Sequence, residues 1–304
     1  MDRILGFPIL GFILLLAFNS NANHFIFGHT FSGDESASFL TIVEMIKIES
    51  QLAQKDLASN ATNAKEHAEH TTEHLTANNT KEINERNPRL ATELNNTLSD
   101  FVKTFESKSP SESDVKDKVS NISDLLSEVV SARIDKEQLN NVTVKALVVN
   151  DLVGEGLEHY GSALGMNESS HAENKTSASN ATENGSNETA KIVDNADYQS
   201  AQAAMTRAID MYNEIKPSGN TNSTELGNSL NSLKDKIDSK SAFDQADKLV
   251  DEKITPLLKG IFKLSLAEEG DHGGEGDHAE GWQDHTQSES VNSTEKENHD
   301  WFNG

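Results

Sequence analysis

Val115-Lys-Asp-Lys-Val119-Ser-Asn-Ile122-Ser-Asp-Leu125-Leu126-Ser-Glu-Val129-Val130 is the stretch whose reading decides the fold. Its apolar residues recur at steps of three and four, which stacks them on one face of a helix; a strand would need them at every second position. Ser109-Pro110-Ser111 breaks the chain just before it, so a helix is expected from about Glu112 to Ile134.

The same period runs outward in both directions. Upstream, Phe39, Ile42, Val43 and Ile46 give a helix that begins at the capping residues near Ser32 to Glu35 and runs to about Ser59. Glu35 projects onto its apolar face and Glu49 onto the edge. Carboxylates so placed are expected to reach for solvent at the helix boundary, the alternative being a ligand turned toward the core. A second helix, about Thr62 to Thr76, has only Ala64, Ala68, Thr71 and Leu75 to bury. A third, about Thr80 to Ser107, carries Leu90, Leu94, Leu98, Phe101, Val102 and Phe105, with Asn87-Pro88 either kinking it or restarting it.

Downstream, Val144, Leu147, Val148, Leu152, Leu157, Tyr160 and Leu164 mark a helix over about Lys136 to Leu164. Gly154, Gly156 and Gly161 each cost it about 1 kcal/mol relative to Ala, which is reasonable where a neighbour packs closely. Further helices are expected at about Asn195–Lys216, Thr224–Lys240 and Ala242–Leu266, the last bent or divided at Pro256. No segment alternates with the period of a strand. The expected fold is therefore all-α, an up-and-down helical bundle with room for two packed subdomains at 23–166 and 192–266. Between them, Asn167 to Lys191 has no Val, Ile, Leu, Met or aromatic residue, so it is expected to be a disordered, glycosylated loop. From 267 to 304 an acidic, His- and Gly-rich tail is expected to be disordered as well.

Composition sets the chemistry. A net charge of −24 repels nucleic acid and anionic membrane surfaces and attracts cations. Residues 1–22 read as an export signal: Asp2-Arg3, an apolar run from Ile4 to Phe18, and Ser20-Asn21-Ala22 as the cleavage site. The run is short of the ~20 residues that span a bilayer, which favours cleavage over an uncleaved anchor. The expected location is extracellular or at the cell surface, with no membrane span in the mature chain. Cysteine is absent, so disulfides and thiolate ligands are excluded and any metal must sit on nitrogen and oxygen.

Asn-X-Ser/Thr sequons begin at Asn60, Asn78, Asn95, Asn121, Asn141, Asn167, Asn174, Asn180, Asn184, Asn187, Asn222 and Asn292. Chance would give roughly five in a chain this rich in Ser and Thr, so glycosylation is expected, and an archaeal or eukaryotic surface fits better than a bacterial one.

One constellation carries metal chemistry. Ala64-Lys-Glu-His-Ala-Glu-His-Thr-Thr-Glu-His-Leu75 sets His67, His70 and His74 along one helical stripe with Glu66 and Glu73 beside it. Neutral imidazoles with a glutamate or water suit copper, zinc or iron. Because its own buried stripe is thin, this helix is expected to hold the imidazoles at the boundary between core and solvent. The other reading is a solvated, charged face. A second, weaker site is expected in the tail at Asp271-His272, Asp277-His278 and Asp284-His285, where flexible pairs collect divalent metal without a preformed shell. Trp282 and Trp301 in the same tail suit docking onto an envelope protein.

The Glu-X-X-His repeat of ferritin-like di-iron bundles is absent, as are His-Glu-X-X-His, a phosphate loop and a nucleophile elbow. No enzyme activity is expected. The function indicated is the binding or buffering of divalent metal at the cell surface; the alternative is a glycosylated structural or interaction protein of the envelope.

His29-Thr-Phe-Ser-Gly-Asp-Glu-Ser-Ala-Ser-Phe-Leu40, Lys65-Glu-His-Ala-Glu-His70, Ala132-Arg-Ile-Asp-Lys-Glu-Gln-Leu139 and Asp197-Tyr-Gln-Ser-Ala-Gln-Ala203 resemble exported helical proteins of ammonia-oxidising archaea. That resemblance implies a surface location and no particular chemistry. More faintly, the helices either side of the glycan loop resemble extracytoplasmic helical regions attached to iron permeases. Glu155-Gly-Leu-Glu158 matches part of the permeases' Arg-Glu-Gly-Leu-Glu motif, but Gly154 stands in place of the arginine. Asn150, Asp151 and His159 argue against a membrane helix there, so the match is read as coincidence.

Overall fold

The computed structural model describes residues 30–107, 110–166 and 189–265, and every regular element among them is helical. The elements are α1 (Gly33–Asp56), α2 (Ala61–Glu73), α3 (Ala77–Arg86), α4 (Pro88–Phe105), α5 (Glu112–Arg133), a single turn α6 (Lys136–Leu139), α7 (Val142–Ala163), α8 (Asn195–Ile215), α9 (Thr221–Asp238), α10 (Phe243–Leu249) and α11 (Thr255–Phe262). A π-helical turn, Val250–Ile254, joins α10 to α11. No described helix is long and apolar enough to cross a membrane.

Caps fix where these helices start. Ser32 and Glu35 form a reciprocal capping box at α1: the Ser32 side chain accepts from Glu35 N, and the Glu35 side chain accepts from Ser32 N at 2.7 Å. Glu35 is thus spent on the cap. Asn87 accepts from Leu90 N with Pro88 in the first turn of α4, so the Asn-Pro pair restarts the chain as a new helix. The helix expected from Lys136 instead breaks at Asn140-Asn141, because Asn141 turns its side chain onto Thr143 N and caps α7. Before Pro256, which has no N–H to give, the ladder widens into the π-turn, so the expected last helix runs as two α-segments joined through it.

The described residues make one compact unit. Within that unit are two hydrophobic clusters, and α1 belongs to both. Ala37, Met45, Ile48 and Leu52 join α7 to α11, including Leu152, Tyr160, Met205, Leu230 and Leu258. Phe39, Val43, Ile46 and Ala53 join α2 to α5, including Ile83, Leu94, Phe101, Ile122 and Leu126. The division does not follow the segment 167–191: α7, which precedes that segment, packs along α8, which follows it. A helix with cores on two sides has little surface left for solvent. That is what buries Glu49.

Gly156 lets α8 approach, since an added Cβ would meet Met205 Cγ and Sδ at 3.2 Å and Ala201 O at 3.6 Å. Gly154, two residues earlier, has nothing within 4 Å and needs another explanation than close packing.

Candidate metal centre

Three histidines at steps of three and four must share one face of α2, and helix packing decides what that face meets. α2 lies along α1 and touches α8, while α7 packs against both α1 and α8. The four helices converge on Glu49, and all four histidines of the described residues, His67, His70, His74 and His159, gather around it.

Glu49 and His67 are both fully buried, each 0 % exposed. Glu49 Oε2 lies 2.7 Å from His67 Nδ1 and 3.4 Å from His70 Nδ1; the longer approach brings the charges together without hydrogen-bond geometry. Glu49 Oε1, His70 Nδ1 and His74 Nε2 are buried with no hydrogen-bond partner in the protein. From α7, His159 directs Nδ1 to Asp197 Oδ1 of α8 at 2.8 Å. Ring centroids stand 6.1 Å apart for His67 and His70, 5.7 Å for His70 and His159, and 6.0 Å for His74 and His159. The ligand-type atoms of Glu49, His67 and His70 all lie within 4.8 Å of one another, and so do those of Glu49, His74 and His159.

A polar relay backs the buried pair. His67 Nε2 meets Gln199 Oε1 at 2.9 Å, Asn63 Nδ2 donates to the same oxygen at 3.4 Å, and Asn63 Nδ2 also reaches Asp56 Oδ2 at 3.5 Å. Ser200 Oγ stands 3.5 Å from His67 Nδ1 and donates to Ala196 O.

The groups of the cluster shift one another's protonation. Burial raises the Glu49 carboxyl, but His67 and His70 outweigh it and hold the group well below the ordinary range. Burial pulls His70 down; Glu49, with Glu73 and Asp197 behind it, reverses this and lifts the ring to about 9. His74 is depressed to about 4 by burial and by His159 and His70, against the pull of Glu49. His159 is lowered by burial and raised overall by Asp197 and Glu49. At neutral pH, then, Glu49 is ionised, His70 holds a proton and His74 offers a lone pair. Nitrogen and carboxylate donors in this ratio suit zinc, copper or iron better than calcium or magnesium, which prefer oxygen throughout.

The histidines predicted from sequence come together: His70 and His74 are half-buried at the boundary with solvent, whereas His67 is inside. Glu66 is half-buried and turned toward Asp194 and Asp197; burial and Asp194 push it up to about 7. Glu73 is exposed and acts on His70 only through its charge. Asp271, His272, Asp277, His278, Trp282, Asp284, His285 and Trp301 lie outside the described residues. So do the signal segment 1–22 and the sequons at Asn167, Asn174, Asn180, Asn184, Asn187 and Asn292. Asn60, Asn78, Asn95, Asn121, Asn141 and Asn222 are all exposed.

Sequence reading did not place Glu49, His159, Asp197 or Gln199 in this site. The available signal was Glu49 on the edge of an apolar face; His159 sits 85 residues beyond His74 and no spacing links them.

No protein-family model, curated protein or solved structure matches the chain.

Proposed function

We propose that this chain binds a divalent transition metal, copper, zinc or iron, at the Glu49 cluster, and that it does so as an exported protein that holds metal at the cell surface. The observation that carries the reading is Glu49 Oε1. An ionised carboxylate in the interior is costly unless cations and donors satisfy both oxygens, and this one has an oxygen with no partner among four imidazoles. A metal ion would supply what is missing. Asp197 on His159 Nδ1 resembles the carboxylate that orients a ligating imidazole and leaves its other nitrogen for the ion.

The test is calorimetric titration of the full chain with Zn(II), Cu(II) and Fe(II). The expected result is a tight class that the combined His67→Ala, His70→Ala and His74→Ala substitution abolishes, above a weaker class from the Asp-His pairs of the tail. Tight binding that survives the combined substitution, or no tight class in the parent, would sink the cluster as the site and favour the glycosylated envelope protein. Export rests on the run from Ile4 to Phe18 and the sequons. Native protein that starts near Asn23 and carries glycan mass supports it, and an unmodified intact mass of 33.2 kDa overturns it.

A further inference from the structure

The geometry points to two metal ions in this cluster, bridged by the Glu49 carboxylate: one held with His67 and His70, the other with His74 and His159. This rests on the metal-binding reading above and sharpens it.

The first argument is reach. An ion with bonds of about 2.0–2.2 Å joins donors up to about 4.4 Å apart, so a triad within 4.8 Å needs only a small closing to hold one. The donors fall into two triads, each within 4.8 Å, that share Glu49 and nothing else. A carboxylate has two oxygens, and Glu49 uses one of them, Oε2, on the side of His67 and His70. Its Oε1 is buried and unpartnered, as is His74 Nε2 of the other triad. Carboxylate-bridged pairs of ions sit roughly 3.5–4 Å apart, a separation that two triads with one shared residue accommodate.

The second argument is the tautomer of His67. The Asp56 carboxylate only accepts, so Asn63 must turn Nδ2 toward it, and the same Nδ2 donates to Gln199 Oε1. That fixes Oε1, an acceptor, as the atom that faces His67 Nε2 at 2.9 Å, and Nε2 must carry hydrogen. His67 Nδ1 then points a lone pair at Glu49 Oε2 from 2.7 Å unless a cation lies between them. A proton can fill that role in the metal-free protein; a metal ion fills it after a small opening. Donor edges in four- to six-coordinate shells run about 2.8–3.6 Å, and the His70 Nδ1 to Glu49 Oε2 distance of 3.4 Å already falls in that range. On the opposite side Asp197 occupies His159 Nδ1, so each triad has one imidazole whose outward nitrogen is held by a neighbour on α8. Asp197, Glu66 and Glu155 act on the histidines of the cluster through their charge and lie near enough to add to that of Glu49.

Copper provides a readout that needs no variant. Full-length protein loaded with Cu(II) is expected to show two tightly held ions per chain by elemental analysis, with a half-field electron paramagnetic resonance signal from their magnetic coupling. Isolated copper on the tail gives no such signal. His67→Ala and His74→Ala, checked for helicity by circular dichroism, are each expected to lose one tight ion and the coupled signal while they retain the other ion. One tight ion in the parent, lost in both variants, overturns the bridged pair and leaves a single-metal site standing. Two tight ions without coupling, or two retained in His67→Ala, also overturn it. No tight ion at all would remove the metal-binding reading itself.

Discussion

A carboxylate cut off from water keeps its charge only where donors or cations surround it, and Glu49 meets that condition through His67 and His70 alone. Glu49→Gln is nearly isosteric and removes the charge. It is expected to weaken tight metal binding by at least ~100-fold in calorimetric titration, whereas Asp197→Asn, which touches only the back of His159, should cost about 10–100-fold. Equal, small effects of the two changes would mean that neither residue serves a metal. The metal-free protein should also show a two-sided dependence on pH. Glu49 is lowered from its ordinary 4.5 and His74 from 6.5 to about 4, so their contributions are present above those ordinary values and are lost as pH falls. His70 is raised to about 9; its contribution is complete below 6.5 and is lost as pH rises through 9. Between pH 4.5 and 6.5 Glu66, raised to about 7, offsets His74, so chelator-treated protein should melt lower at pH 9.5 than at pH 6.5, through His70, and lower at pH 3 than at pH 4.5, through Glu49; His74→Gln should raise the melting temperature at pH 5 relative to pH 6.5. A parent profile that is level across this range counts against the assigned protonation states.

At the scale of elements, α7 against α8 is the contact that brings His159 and Asp197 together, and its closeness depends on Gly156. Ala at an exposed position within a helix gains about 1 kcal/mol over Gly. Gly154→Ala meets nothing within 4 Å and should gain that amount, seen as a rise of roughly 2–4 °C in melting temperature. Gly156→Ala would gain the same propensity, but it presses a Cβ to 3.2 Å from Met205 in a packed core, where overpacking costs about 1–3 kcal/mol. Its melting temperature should stay level or fall. If the two variants rise alike, the α7–α8 contact is looser than the structure has it. The shift at Gly156 should also reach the metal site, because His159 lies one turn further along the same helix.

For the molecule as a whole, a ligand that binds only the folded form stabilises it by mass action. At 100 times its dissociation constant the gain is about 2.7 kcal/mol, which for a domain of this size is a rise of roughly 5–10 °C. Zn(II) is expected to raise the melting temperature of the full chain by that amount, and to leave Glu49→Gln nearly unmoved. A shift of equal size in the variant would place the stabilising ion elsewhere. The net charge of −24 adds a general attraction for cations, so the comparison should be made at about 0.15 M salt, where the Debye length is near 8 Å and distant charges are screened.

The all-α class, a kink or restart at Asn87-Pro88 and the grouping of His67, His70 and His74 were legible in the chain, because each depends on residues within a few positions of one another. Periodicity, capping chemistry and turns of 3.6 residues are local, and a single sequence carries them complete. The break at Asn140-Asn141 was local too, and was missed because the strong apolar pattern beyond it hid an asparagine cap. What only the tertiary structure decided is which sides of a helix are covered. The pattern of α1 suggested one buried face with Glu49 at its edge; two cores closing on that helix took the edge away and left a carboxylate inside. His67 followed Glu49 inward for the same reason. His159, Asp197 and Gln199 reach the cluster from α7 and α8, and no spacing in the sequence records that those helices pack against α1 and α2. The sequence by itself determined three histidines on one stripe of a helix, since helical geometry is local; the fourth histidine, the buried carboxylate and the relay behind them were decided by packing between distant segments.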